Sequence, residues 1–253
     1  MRKFIDLSLP IMDTPPGFFP ASEITRVTHE ESAKKRMVDW NLPDGFFPDN
    51  KLAGYEILKL NSHAGTHFDA PWHYGPISMG KPARTIDHVP LEWCYSDGVV
   101  LDFRHINVGE RITAAQVKEA LEKINYKLKP LDIVLIRTDA SKHYPEPDYN
   151  SMHPGMSKES TFWLIEQGIK VMGIDAWGWD RPNKYDLEEG RRGVKGQFWQ
   201  AHIAGRAMEY CHMENLINLD LIPKPYGFTV VAFPISIVKG SAGWVRAVAI
   251  VEE

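Results

Sequence analysis

The stretch HAGTHFDAPWH, residues 63–73, holds His63, His67, Asp69 and His73, and its backbone can be read in two ways. As a helix it would bring His63 and His67 together at i, i+4, but Gly65 inside that turn and Pro71 just beyond it disfavour helix. As an extended run it presents His63, His67, Asp69 and His73 on one face, because alternate residues of a strand point the same way. Ala64, Thr66, Phe68, Ala70 and Trp72 then face the other side and are mostly apolar. On a straight strand the first two histidines would stand about 13 Å apart. That is too far for both imidazoles to come within about 2.1 Å of one ion. A bend at Gly65, which tolerates left-handed backbone angles, removes the conflict. The segment is therefore expected to run as strand, kink and extended ligand run.

Two imidazoles and a carboxylate suit Zn²⁺, Mn²⁺ or Fe²⁺ and leave coordination positions open, the mark of a catalytic rather than a structural site. His63, His67 and Asp69 are the candidate ligands. His73, further along the same face, suits the general acid or base. Downstream, AHIAGRAMEYCHMENL (201–216) offers His202 and Glu214, with His212 as a competing candidate. On one unbroken helix His202 and Glu214 would lie about 18 Å apart, so they meet only if the chain turns back near Tyr210–Met213.

Outward from the motif, short β-branched runs predict strands. They are KFIDLSL from Lys3, YEILKLNSH from Tyr55, GVVLDF from Gly98, DIVLIRT from Asp132, KVMGID from Lys170, FTVVAF from Phe228 and WVRAVAIV from Trp244. Thr113 with Gln116 forms a capping-box pattern for one helix, whose apolar face is Val117, Ala120, Leu121 and Ile124. Ser157 opens a second helix that Gly168 closes, and a third is expected over Ala201–Glu209. Strand–helix–strand–helix–strand between Gly98 and Asp175 predicts βαβ units within one mixed α/β domain spanning residues 1–253. Residues 10–52, 139–156 and 176–200 resist assignment and read as functional loops, surface loops or subunit contacts.

The 253 residues are 43% hydrophobic and 25% charged, ordinary for a globular chain, and the formal charge of −4 gives no basic footprint for nucleic acid. Two distant cysteines, Cys94 and Cys211, argue against a disulfide framework and for a reducing compartment. The N-terminus lacks a signal-peptide h-region, and the apolar run from Phe228 is short and broken by Pro234. A cytoplasmic location is expected, with neither membrane nor nucleic acid as a partner.

HAGTHFDAPWH resembles the HxGTHxDxPxH signature of the cyclase family of metal-dependent hydrolases, which includes arylformamidases, isatin hydrolases and trans-dienelactone hydrolases. The similarity continues through GIDAWGWD (173–180) to HIAGRAMEYCHMENLINL (202–219). The resemblance implies a swivelling β/β/α fold around a β-barrel-like core. It also implies that His63, His67 and Asp69 are metal ligands and that His73 is catalytic. His202 and Glu214 match the pair that completes a dinuclear zinc site in the formamidases, whereas isatin-hydrolase-like members are mononuclear, often with manganese. One Mn²⁺ or Zn²⁺ is expected, with a second ion open, and the family implies a homodimer or homotetramer. Gly178 stands where the formamidases carry a serine, and the chain is longer than theirs, which draws it towards the isatin-hydrolase branch.

The reaction expected is hydrolysis of a small cyclic amide, with N-formylkynurenine or a lactone as alternatives and a non-catalytic metal- or ligand-binding module as the outside reading. Trp177, Trp179, Phe18 and Phe19 are candidate pocket walls for a flat substrate. RPNKYDLEEGRRGVK (181–195) reads as a solvated mixed-charge loop.

Overall fold

Six of the seven strand runs enter one nine-stranded sheet in the computed structural model, which describes residues 1–14 and 21–252. In chain order the strands are β1 (Arg2–Asp6), β2 (His67–Asp69), β3 (Tyr95–Asp102), β4 (Ile133–Arg137), β5 (Val171–Ile174), β6 (Cys211–Glu214), β7 (Tyr226–Val231), β8 (Ala242–Trp244) and β9 (Val248–Glu252). Across the sheet they run β1-β9-β7-β3-β4-β5-β6-β2-β8. The central four, β3 to β6, are mutually parallel, and every other pairing is antiparallel. WVRAVAIV supplies two strands rather than one, with the break at Val245–Ala247.

The parallel strands are buried on both faces, as crossover helices require. Alternation along β4 sends Ile133 and Leu135 into one apolar cluster and Val134 and Ile136 into the other. The second cluster is closed by Val117 and Leu121 of helix α2 (Ala114–Lys123) and by Leu164 and Ile165 of α3 (Lys158–Glu166), while α1 is the single turn Pro71–Tyr74. Both predicted caps form. The Thr113 hydroxyl accepts from Gln116 N at 3.3 Å, and the Ser157 hydroxyl accepts from Ser160 N at 3.0 Å.

Residues 176–200, unassigned from sequence, contain α4 (Asn183–Arg191), and α5 spans Gln200–Ala207. The mixed-charge stretch is thus partly an anchored helix. Buried Asp186 pairs with Arg111 and Arg181, each at 2.7 Å, and Arg181 also reaches Glu189 at 2.6 Å. Residues 139–156 carry two 3₁₀ turns, Ala140–His143 and Tyr149–Ser151. Cys211–Glu214, within a segment expected to be helical or turning, is the strand β6.

The chain divides into two compact units, and all of the above belongs to Met1–Pro10 with Gly65–Glu253. The other unit, Ile11–Ala64, pairs Ser22–Val27 with Tyr55–Leu60 antiparallel and carries the helix His29–Asp39, so residues 10–52 are not simply loop. Thr28 and Glu31 form its capping box. Cys94 and Cys211 are buried free thiols. No helix among the described residues is long and apolar enough to cross a membrane.

Candidate metal centre

Gly65 adopts φ +62°, the left-handed kink that the motif requires, and β2 begins two residues later. β2 pairs with β6 so that His67 faces Glu214 and Asp69 faces His212. Period-2 alternation points these four side chains to one side and sends Phe68 and Met213 into the core on the other. The extended run ends sooner than expected: Pro71 starts α1, and His73 stands on that helical turn.

The imidazole Nε2 atoms converge on the two buried carboxylates. His212 Nε2 lies 3.2 Å from Asp69 Oδ2 and 3.2 Å from Glu214 Oε1. His67 Nε2 lies 3.4 Å from Asp69 Oδ1 and 3.4 Å from Glu214 Oε2. α5 delivers His202, whose Nε2 is 3.8 Å from Asp69 Oδ2 and 3.5 Å from Glu214 Oε1. His73 Nε2 is 3.7 Å from Asp69 Oδ2, and its side chain is 19% exposed, so it stands at the open edge of a group that is otherwise sealed.

The opposite ring nitrogens are held as well. His202 Nδ1 donates to Asp180 Oδ2 at 2.6 Å, and the same carboxylate accepts the α5 amides of Ala201 and His202 at 2.8 and 2.9 Å. His67 Nδ1 donates to Gly65 O at 3.0 Å. His212 Nδ1 lies 3.0 Å from the Tyr74 hydroxyl and 3.3 Å from that of Tyr210. The hydroxyls themselves donate to the carbonyls of Asp69 and Ala201, which makes Nδ1 the donor. Each ring thus has a partner for an Nδ1 proton and points Nε2 inwards, so that on loss of any Nε2 proton it would present the tautomer that a metal ligand needs. Trp179 N–H donates to Glu214 Oε1 at 2.7 Å, its indole stacks on His212, and Trp199 stacks on His202.

The electrostatics agree. Burial disfavours a charged His212, but its hydrogen bonds to Asp69 and Glu214 outweigh burial and push its pKa up to about 9. Burial likewise opposes charge on both Glu214 and His67. Even so, the neighbouring imidazoles hold the Glu214 carboxyl well below its ordinary range, and the two carboxylates raise His67. Two buried carboxylates thus draw positive charge into the cluster. Asp69, His202, His212 and Glu214 offer ligand atoms within 4.8 Å of one another, and this N/O donor set fits a divalent cation.

Of the residues expected at the site, this unit brings together His67, Asp69, His73, His202 and Glu214. His63 belongs to the other unit, half-buried in the turn after Tyr55–Leu60, with its amide donating to Asn61 Oδ1 at 2.9 Å. His212, weighed as a rival to His202, stands beside it instead. The i, i+2 spacing of His212 and Glu214 was the available signal, but it speaks only once the segment is read as a strand. Trp179 is fully buried, so it braces a ligand rather than walling a pocket, while Trp177 is partly buried. Asp180, Tyr74, Tyr210 and Trp199 were not anticipated in their supporting roles. Phe18 and Phe19 lie outside the described residues.

Known proteins match this chain along most of its length. A family model described as "Putative cyclase" matches residues 5–181. Kynurenine formamidase of Erythrobacter litoralis is 27% identical over 191 residues, covering 76% of this chain and 74% of that protein. Isatin hydrolase of Roseibium aggregatum is 23% identical over 254 residues, covering 96% and 87%. The solved structure of isatin hydrolase A from Ralstonia solanacearum shares the fold, with a TM-score of 0.74 at 22% identity over 99% of this chain and 92% of that one.

Proposed function

Because the chain belongs to the cyclase family, we propose that it is a metal-dependent hydrolase that opens a small cyclic amide of the isatin type with water. The observation that carries this reading is the convergence of His67, Asp69, His202, His212 and Glu214 in one buried cluster beside a partly exposed histidine. The isatin hydrolase relative, matched along 96% of the chain, supports the substrate class.

These five residues would hold one Mn²⁺ or Zn²⁺, with a second ion admitted by the formamidase likeness. The motif that it opens adds His63 to the candidate ligands. When bound, the cation supplies Lewis-acid polarisation of a carbonyl and activation of water near neutral pH. His73, at the open edge, takes a proton from the attacking water and returns it to the departing ring nitrogen. The water oxygen joins the carbonyl carbon, the C–N bond breaks, and an amino-carboxylate leaves. Asp180 and Tyr74 keep their imidazoles aimed while this happens. A second reading, cleavage of N-formylkynurenine by the same chemistry, is favoured by the Erythrobacter litoralis relative. The family likeness further supports a homodimer or homotetramer, and the free thiols of Cys94 and Cys211 support a reducing compartment such as the cytoplasm.

Dialysis against a chelator is expected to abolish isatin hydrolysis, and restoring Mn²⁺ or Zn²⁺ to recover it. Activity indifferent to chelation rejects the reading, and a panel adding N-formylkynurenine and small lactones chooses among substrates.

A further inference from the structure

Asn215 directly follows the carboxylate Glu214, is 5% exposed, and sits at φ +58°. All its polar groups are engaged. Its amide N–H donates to Ala176 O at 2.8 Å, and its carbonyl accepts the Thr66 hydroxyl at 2.5 Å. Its side-chain Nδ2 donates to Gly65 O at 3.1 Å, and its Oδ1 accepts the hydroxyl of Tyr149, 1% exposed, at 2.8 Å. Gly65 O is the same carbonyl that receives His67 Nδ1–H. One asparagine therefore grips both residues that precede His67 in the chain.

We infer that Tyr149 and Asn215 are positioning residues for the metal centre: they fix the Gly65 carbonyl that orients the His67 ring. The Tyr149 hydroxyl decides which way the amide faces. With Oδ1 occupied by that donor, Nδ2 is left for Gly65 O, whereas a flipped amide would set two oxygens against each other. The Gly65 kink leaves its carbonyl position undictated by any strand ladder, so a side chain has to hold it. Thr66 adds a second hold, since its hydroxyl also accepts Leu9 N at 2.7 Å. The consequence runs from the 3₁₀ turn Tyr149–Ser151, in a stretch with no sequence assignment, to the first buried ligand of the motif.

The inference rests on His67 being a ligand, and the test separates the two ideas. Full-length wild type, Tyr149→Phe and Asn215→Asp are titrated with Zn²⁺ against a competing chelator, and apo-protein melting is followed in parallel. Tyr149→Phe keeps the ring and is expected to weaken Zn²⁺ binding about tenfold, while Asn215→Asp, which cannot donate to Gly65 O, weakens it further within the range of 10–100-fold. In ¹⁵N-edited spectra the His67 Nδ1–H is expected to exchange slowly in the wild type and about tenfold faster in both variants. Wild-type Zn²⁺ affinity in Tyr149→Phe, or an unprotected His67 Nδ1–H in the wild type, overturns the inference. A wild type that takes up no Zn²⁺ sinks the metal reading instead, while the exchange measurement on apo-protein still tests the relay.

Discussion

The candidate site has two halves built on different physics. His67, Asp69, His212 and Glu214 stand on neighbouring strands, where ladder hydrogen bonds fix their backbones and alternation fixes their direction. His73 and His202 stand on the short helices α1 and α5, and what holds them is side chains: Asp180 and Trp199 for His202, the flank of Trp199 for His73. The strand half carries both carboxylates and is almost dry. The helix half reaches the open edge. In the proposed reaction, charge would thus be set on the laddered strands and proton transfer at the open edge.

That division predicts a graded response. Asp69→Ala strikes the strand half hardest. Elemental analysis is expected to find no tightly held ion, and kcat/KM should fall on the order of a thousand-fold or more, about 4 kcal/mol of barrier. His73→Ala should separate the halves, keeping the full metal complement while kcat drops by about 10²–10⁴-fold. If it lost the ion as well, His73 would belong with the ligands. Asp180→Asn keeps size and removes charge, and a chelator-competition assay should show metal affinity falling about 10–100-fold.

The smallest effect is in pH. The folded-state pKa of His212 lies above its unfolded value, so its contribution to apo-protein stability is complete below about 6.5 and disappears as pH rises through about 9. The apo-protein Tm should therefore fall across that window. Apparent metal affinity should climb over the same window, because a proton on Nε2 competes with the ion. A flat apo-protein Tm profile from pH 6.5 to 9 would show that the carboxylates do not charge that ring.

The sequence was most legible where one local rule decides. Period-2 alternation exposed the face shared by His67 and Asp69, glycine freedom located the kink, and the capping box at Thr113 and the cap at Ser157 marked where two helices start. It was least legible where tertiary partners override local preference. EYCHMENL carries two glutamates, a methionine and a leucine that suit a helix, yet Cys211–Glu214 is a strand because β5 and β2 flank it with matching ladders. Missing that strand hid the pairing of His212 with Glu214. The supporting residues were invisible for a related reason. Asp180 lies 22 positions from His202, and nothing in its neighbourhood announces an imidazole.

Asp180 also gives the centre an unadvertised dependence. Its single carboxylate takes up two first-turn amides of α5, those of Ala201 and His202, and the ring N–H of His202 itself. Winding of the helix and aim of the imidazole are therefore one event. If the first turn frays, its histidine swings away, and an ion in place would act as a distant rivet holding eight residues in helical register.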